Sequence, residues 1–267
     1  MLKALIPYLT ALMEGETEYC EPFMGGGSVG LWVAEHYPKV RLFINDKDNL
    51  VSAFWRVVAA GQPDISNLIS RLYVKPTVSM WDDVKASTPI TDVDMAFKLV
   101  FLNRTSFNGM VYHSSPIGGR EQKGKIGGKG VWTIDCQYNP TRLASLIQRY
   151  SSLLCGRTGV GCEDAVSFMR PRDNMPTFID PPYFPEVGVN NLYGVQMSAE
   201  NHKALADQMK LMRKWLMTYD FSGTIAKNLY FGLDMRVVSV RYSSPSTRKE
   251  GTWKRDAELV ALQGFKA

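Results

Sequence analysis

Apolar residues recur at helical spacing over the first dozen positions (Leu2, Leu5, Ile6, Leu9, Leu12). The pattern then changes. Glu18-Tyr19-Cys20-Glu21-Pro22-Phe23 reads as a strand running into a glycine turn, Met24-Gly25-Gly26-Gly27-Ser28. Val29–Ala34 is apolar at helical spacing again, and Arg41–Asp46 reads as a second strand ending in an acid. Strand, glycine turn, helix and strand make a βαβ unit, with an acid about 20 residues beyond the glycines.

The alternation lapses from about Ala60 to Leu154. Helical patterns at Ile65–Leu72 and Met95–Phe101 flank a stretch, Asn103 to Gly130, rich in Gly, Ser, Asn and basic residues. Regular alternation then returns. Arg157–Gly161 and Pro176–Ile179 predict strands, and Ser198–Lys214 a helix capped by Ser198, with Leu205, Met209, Met212 and Leu216 as its apolar face. Trp215–Tyr219, Met235–Tyr242 and Glu258–Gln263 predict further strands, the last two as a hairpin. The pattern as a whole predicts an α/β fold: one sheet domain interrupted by a helical, basic insertion. Its expected bounds are 1–58 and 155–267 for the sheet domain and 59–154 for the insertion.

Composition narrows the class. A chain of 267 residues, 45% hydrophobic and 21% charged, has the profile of a soluble globular protein. Its longest apolar runs, such as Ala257–Leu262, are too short to cross a bilayer. The four cysteines (Cys20, Cys136, Cys155, Cys162) form no CxxC pair, and with three histidines they offer no metal-ligand spacing. No metal is expected, and the cysteines read as small buried hydrophobes in a reducing cytosol. A net charge of +5 permits a polyanionic partner without demanding one.

Two constellations carry chemistry. In the glycine turn Glu21-Pro22-Phe23-Met24-Gly25-Gly26-Gly27, missing side chains let a ligand approach the backbone, and the following helix N-terminus has free N–H groups. With Asp46 available for ribose hydroxyls, the pocket suits a nucleoside whose tail carries a carboxylate. S-adenosylmethionine meets that description; NAD competes, although the pattern is not GxGxxG. The second constellation is Asp180-Pro181-Pro182-Tyr183, placed where the Thr177-Phe178-Ile179 strand stops. Consecutive prolines stiffen the chain and leave carbonyls without neighbouring donors. An acceptor side chain, outward carbonyls and an aromatic face suit a planar amine such as an extruded nucleobase.

Taken together, these segments resemble the Dam-type DNA adenine-N6 methyltransferases, whose cofactor motif comes first and whose DPPY motif comes last. Glu21–Gly27 is similar to that family's cofactor loop and Asn45-Asp46 to its ribose-binding acid. Asn103-Arg104-Thr105-Ser106-Phe107-Asn108-Gly109 is similar to the block that opens target recognition. Asp164 lies where the family has an acid near the cofactor adenine, and Met197–Ala206 resembles its SxxDHxxLA helix. The resemblance implies a Rossmann-like mixed sheet with helices on both faces and an inserted, mainly helical target-recognition domain. It implies a methyl donor, S-adenosylmethionine, held by Glu21, Pro22, Phe23, Gly25, Gly27, Asp46, Asp164 and Asp180, leaving as S-adenosylhomocysteine. Asp180 and the Pro181 carbonyl would accept from adenine N6, beside Pro182, and Tyr183 would stack on the flipped base. Arg104, Asn108, Arg120, Lys123, Lys125 and Lys129 would contact double-stranded DNA. No membrane and no obligate protein partner is expected, and the setting would be the cytoplasm of a bacterial or phage-infected cell.

The chain departs from the family at its start. Members carry a Pro-Gly-Gly-Lys block ahead of the first helix; here Met1-Leu2-Lys3-Ala4-Leu5-Ile6-Pro7 stands instead, with either Lys3 as a partial substitute or weaker cofactor binding expected. Three rivals stand beside adenine-N6 methylation: a non-catalytic DNA-binding homologue, which the missing block admits, methylation of cytosine N4, and methylation of RNA adenine. His202 reads as structural or surface. Arg248-Lys249 with Lys254-Arg255 reads equally as a backbone contact or a solvated hairpin.

Overall fold

The computed structural model describes residues 2–122, 132–182, 197–220, 230, 235–238 and 258–264, with 220, 235–238 and 258–261 as backbone only. Expectations that fall on Tyr183, Lys123, Lys125, Lys129, the basic residues 248–255 and the distal part of Met235–Tyr242 lie outside the described residues. The chain forms two compact units. It leaves the first after Asp46 and returns to it at Glu163, residues 47–162 forming the second.

The first unit is mixed α/β. Its strands are β1 (Glu18–Glu21), β2 (Arg41–Asn45), β4 (Thr177–Ile179), β5 (Trp215–Asp220), β6 (Met235–Val238) and β7 (Glu258–Gln263), in the order β2-β1-β4-β5-β7-β6; β3 (Thr158–Gly161) belongs to the second unit. The strands β2, β1, β4 and β5 run parallel, while β7 is antiparallel to both β5 and β6. The chain steps outward from β1 to β2 and later restarts on the other side of β1, at β4. Between β1 and β4 the strand order reverses, and in such sheets ligands bind outside the strands' carboxyl ends at that point.

Helices α1 (Leu2–Met13) and α2 (Ser28–His36) pack together, with Leu5, Leu9 and Leu12 fully buried. The other face of the sheet is covered by α8 (Ala165–Met169) and α9 (Ala199–Leu211), whose Met169, Leu205 and Met209 meet Ile179, Trp215, Met217 and Tyr219. Burial of each such side chain stabilises by about 1.5–3 kcal/mol. The expected helix over Ser198–Lys214 is shorter than its apolar pattern suggests. Helix α9 ends at Leu211, Met212 turns extended, and Leu216 lies in β5, because the parallel pairing of Trp215–Met217 with β4 recruits the chain into the sheet.

The second unit contains α3 (Asn49–Ala60), α4 (Asp64–Leu72), α5 (Val78–Ala86), α6 (Asp92–Thr105) and α7 (Pro140–Leu154). Side-chain oxygens of Asp48, Thr77, Thr91 and Asn139 cap α3, α5, α6 and α7. Asn103 and Arg104, expected in a loop, sit in the last turn of α6. The helix persists because Thr105 hydrogen-bonds back to the Phe101 carbonyl, and the Ser106 N–H to Leu102.

Candidate functional site

The turn after β1 is tied down at several points. The Met24 N–H donates to the Asn45 carbonyl and the Gly27 N–H to Met24, while Gly25 and Gly27 adopt φ of 45° and 71°. Those left-handed values favour glycine. A Cβ at Gly25 or Gly26 would meet nothing within 4 Å, so this backbone lies open to close approach. The Gly25 N–H donates to Asp46 Oδ2 at 2.9 Å, coupling the glycine turn to the acid at the end of β2. Helix α2 begins at Gly27 with no side-chain cap on its first N–H groups.

Glu21 is 2% exposed, an unusual position for a carboxylate. It accepts from the Tyr19 hydroxyl at 2.7 Å and from the Gly30 amide. Gly30 is required by this contact: a Cβ there would lie 2.6 Å from Glu21 Oε2. Burial pushes the Glu21 carboxyl up to about 8, and the charges of Asp180 and Asp46 add to the rise; the Tyr19 hydroxyl and the Gly30 amide pull it down. Burial, followed by the charge of Glu21, raises the Tyr19 phenol as well. Phe23 turns away and packs against the Met169–Trp215 cluster, and Pro22 is buried.

Asp180 follows β4 directly. The register Thr177↔Trp215, Phe178↔Leu216, Ile179↔Met217 carries forward to set Asp180 beside Thr218, whose hydroxyl donates to Asp180 Oδ1 at 2.7 Å. Alternation along the strands places Glu21, Phe178, Asp180 and Thr218 on one sheet face, opposite Ile179, Met217 and Tyr219. Pro181 is buried and Pro182 half-buried.

Asn45, 1% exposed, joins three chain segments. Its Nδ2 donates to the carbonyls of Pro22 and Glu163, at 3.0 and 3.1 Å, and its Oδ1 accepts from the Glu163 N–H at 3.0 Å. Asp164 then follows Glu163 with one oxygen capping α8 through the Val166 N–H. His202 is fully buried, 3.5 Å from the Tyr230 hydroxyl and edge-on to Tyr219, and burial lowers it to about 4. It is a neutral core histidine.

In the second unit, Arg104 and Asn108 are exposed. Phe107–Gly109 forms a tight turn in which Asn108 takes a φ of 54° and Asn103 Nδ2 donates to the Gly109 carbonyl. Arg120 makes a two-pronged pair with Asp82, both contacts 2.8 Å. The buried Trp81 indole holds Ser106 Oγ at 2.9 Å beneath this turn. Sequence reasoning singled out neither Tyr19, Thr218 nor Asp82. Each is recognisable only once strand register or helix packing has placed it beside a residue with a motif.

The model of the D12 class N6 adenine-specific DNA methyltransferase family matches residues 3–244. The chain belongs to that family. No curated protein matches it in a sequence comparison. Membership makes the chain an enzyme of the class that methylates adenine N6 in DNA, and its mixed sheet is that of a Rossmann-like methyltransferase. Among the described residues, no group of three or more His, Cys, Asp or Glu side chains could hold a metal ion, and no helix is long and apolar enough to cross a membrane.

Proposed function

We propose that this D12-class enzyme transfers a methyl group from S-adenosylmethionine to N6 of an adenine flipped out of duplex DNA. The observation that carries the reading is the placement of Asp180 and of the open glycine turn with Asp46 at the carboxyl ends of β4, β1 and β2, about the point of strand reversal. The residues present fit the methyl donor. The bare backbone at Gly25 and Gly26 admits close approach, and Asp46 offers an acceptor for ribose hydroxyls. The charges of Asp180 and Asp46 add to the cost of ionising buried Glu21, and a positively charged ligand would relieve that cost. Glu21 acts through the start of α2, whose Gly30 amide it holds, and Asp164 on the adenine side of the cofactor. When bound, S-adenosylmethionine supplies an electrophilic sulfonium methyl group and leaves as S-adenosylhomocysteine.

The chain's own task is positioning. Asp180 accepts one N6–H bond and the Pro181 carbonyl another, aiming the nitrogen lone pair away from the ring. Pro182 stiffens the turn, and Tyr183 stacks on the base, offsetting an extrusion cost of a few kcal/mol. Arg104, Asn108 and Arg120, with Lys123, Lys125 and Lys129 by sequence, contact the duplex. Phosphate contacts set the register and base-edge contacts the specificity.

Incubation with tritiated S-adenosylmethionine and duplex DNA, followed by digestion to nucleosides and mass spectrometry, tests the reading. Label on N6-methyladenine that Asp180→Ala sharply reduces is the expected result. Absence of label, or an Asp180→Ala variant as active as the parent, overturns it. A non-catalytic homologue would bind DNA in a salt-sensitive manner and show no heat of cofactor binding.

A further inference from the structure

We infer that Thr218 is a positioning residue for methyl transfer, setting the orientation of the Asp180 carboxylate; the inference rests on the role proposed above for Asp180. Thr218 is fully buried in β5, and its hydroxyl donates to Asp180 Oδ1 at 2.7 Å. The contact is enforced by the fold. Parallel pairing of β4 with β5 continues in register from Ile179↔Met217 to the Asp180 and Thr218 positions, and pairing with Val260 of β7 holds Thr218 on its other side. A β-branched side chain in a strand has few rotamers, so this hydroxyl is delivered in one direction.

An aspartate carboxylate is free to rotate about its Cβ–Cγ bond. A donor fixed on one oxygen sets the carboxylate plane, and with it the direction from which an N6–H can be accepted. The donor is also uncharged. It steadies Asp180 without adding a counter-charge to that carboxylate's negative field. An arginine or lysine in its place would orient Asp180 equally well but cancel that field.

The test compares Thr218→Val, which keeps the shape and removes the hydroxyl, with the pair Thr218→Ser and Thr218→Ala, which differ from each other by the hydroxyl alone. Expected for Thr218→Val is a fall in kcat on the order of 10-fold to 100-fold. Its cofactor Kd by calorimetry and its KM for DNA should stay within about twofold of the parent, as for an interaction that acts in the transition state. Thr218→Ser should retain most of the parental kcat and Thr218→Ala should not, a contrast that holds even where Thr218→Val folds poorly. Equal kcat for Thr218→Ser and Thr218→Ala, or a Thr218→Val defect confined to KM, overturns the inference while the parental activity leaves the reading of Asp180 standing. A parent protein that transfers no methyl group overturns both.

Discussion

The acids at the carboxyl ends of the sheet strands and the basic residues of the helical unit meet different kinds of partner. In the sheet unit, Glu21, Asp46 and Asp180 meet uncharged donors: the Tyr19 hydroxyl, the Gly25 N–H and the Thr218 hydroxyl. In the helical unit, charged side chains meet opposite charges: Arg56 with Asp92, Arg71 with Asp94, and Arg120 with Asp82. A neutral donor orients a carboxyl group without adding a counter-charge. Counter-charges cancel the field, and where they are exposed, as at 65% and 41% for Arg120 and Asp82, they exchange readily for another partner. One arrangement suits a fixed chemical step and the other a ligand that must bind, release and be sensed through salt.

The contrast breaks most sharply at Asp180. Replacing it with alanine should lower kcat by about 10²–10³-fold, the loss typical of one preorganised electrostatic group, and a smaller loss would show that the acids are structural. The next effect is on stability. With its carboxyl raised from 4.5 to about 8, Glu21 keeps a proton in the folded chain that the unfolded chain has released between those pH values. Its contribution to stability therefore declines as pH rises through that window and levels off above it. Glu21→Gln cannot ionise, so it should match the parent near pH 4.5 and exceed it above pH 8 by a few kcal/mol, read as Tm against pH. Next comes Gly30→Ala, whose Cβ would press on Glu21 Oε2 at 2.6 Å and on Met24. Because Glu21 is held by Tyr19, the strain should cost about 1–3 kcal/mol, seen as a lower urea midpoint. The smallest effect belongs to the helical unit. Asp82→Asn should release Arg120 and tighten DNA binding a few-fold at low salt, with no gain near 1 M salt, where the Debye length falls to about 3 Å. Arg120→Ala should reduce the slope of log affinity against log salt by about 1.

Much of the sheet unit was legible in the sequence. Strands that end in a motif announce both themselves and their carboxyl ends, and Glu21, Asp46 and Asp180 were picked out in this way. The burial of Glu21 against Tyr19 was not legible, because the two lie on one strand with nothing in Glu18-Tyr19-Cys20-Glu21 to show which face α2 covers. The helical unit was harder to read. Helix α5 buries only Trp81 and so has no apolar stripe, while α3 and α7 were missed although Asp48 and the pair Asn139-Pro140 marked their starts. The helical pattern at Met95–Phe101 falls within α6, but the glycine-rich composition beyond Phe107 hides its last turn, which carries Asn103 and Arg104. Asp82 had no motif at all, and only helix packing brings it to Arg120.

The placement of β7 has a consequence for how the enzyme is made. Strand β5 lies between β4, which precedes it, and β7, which is translated well after it. Until the ribosome has passed Gln263, the strand that carries Thr218 has a bare hydrogen-bonding edge, the kind of surface on which nascent chains pair wrongly. Asp180 and its partner Thr218 are thus both synthesised before the strand that closes the far edge of β5. A nascent chain has the DPPY motif well before β7 completes the sheet beside it.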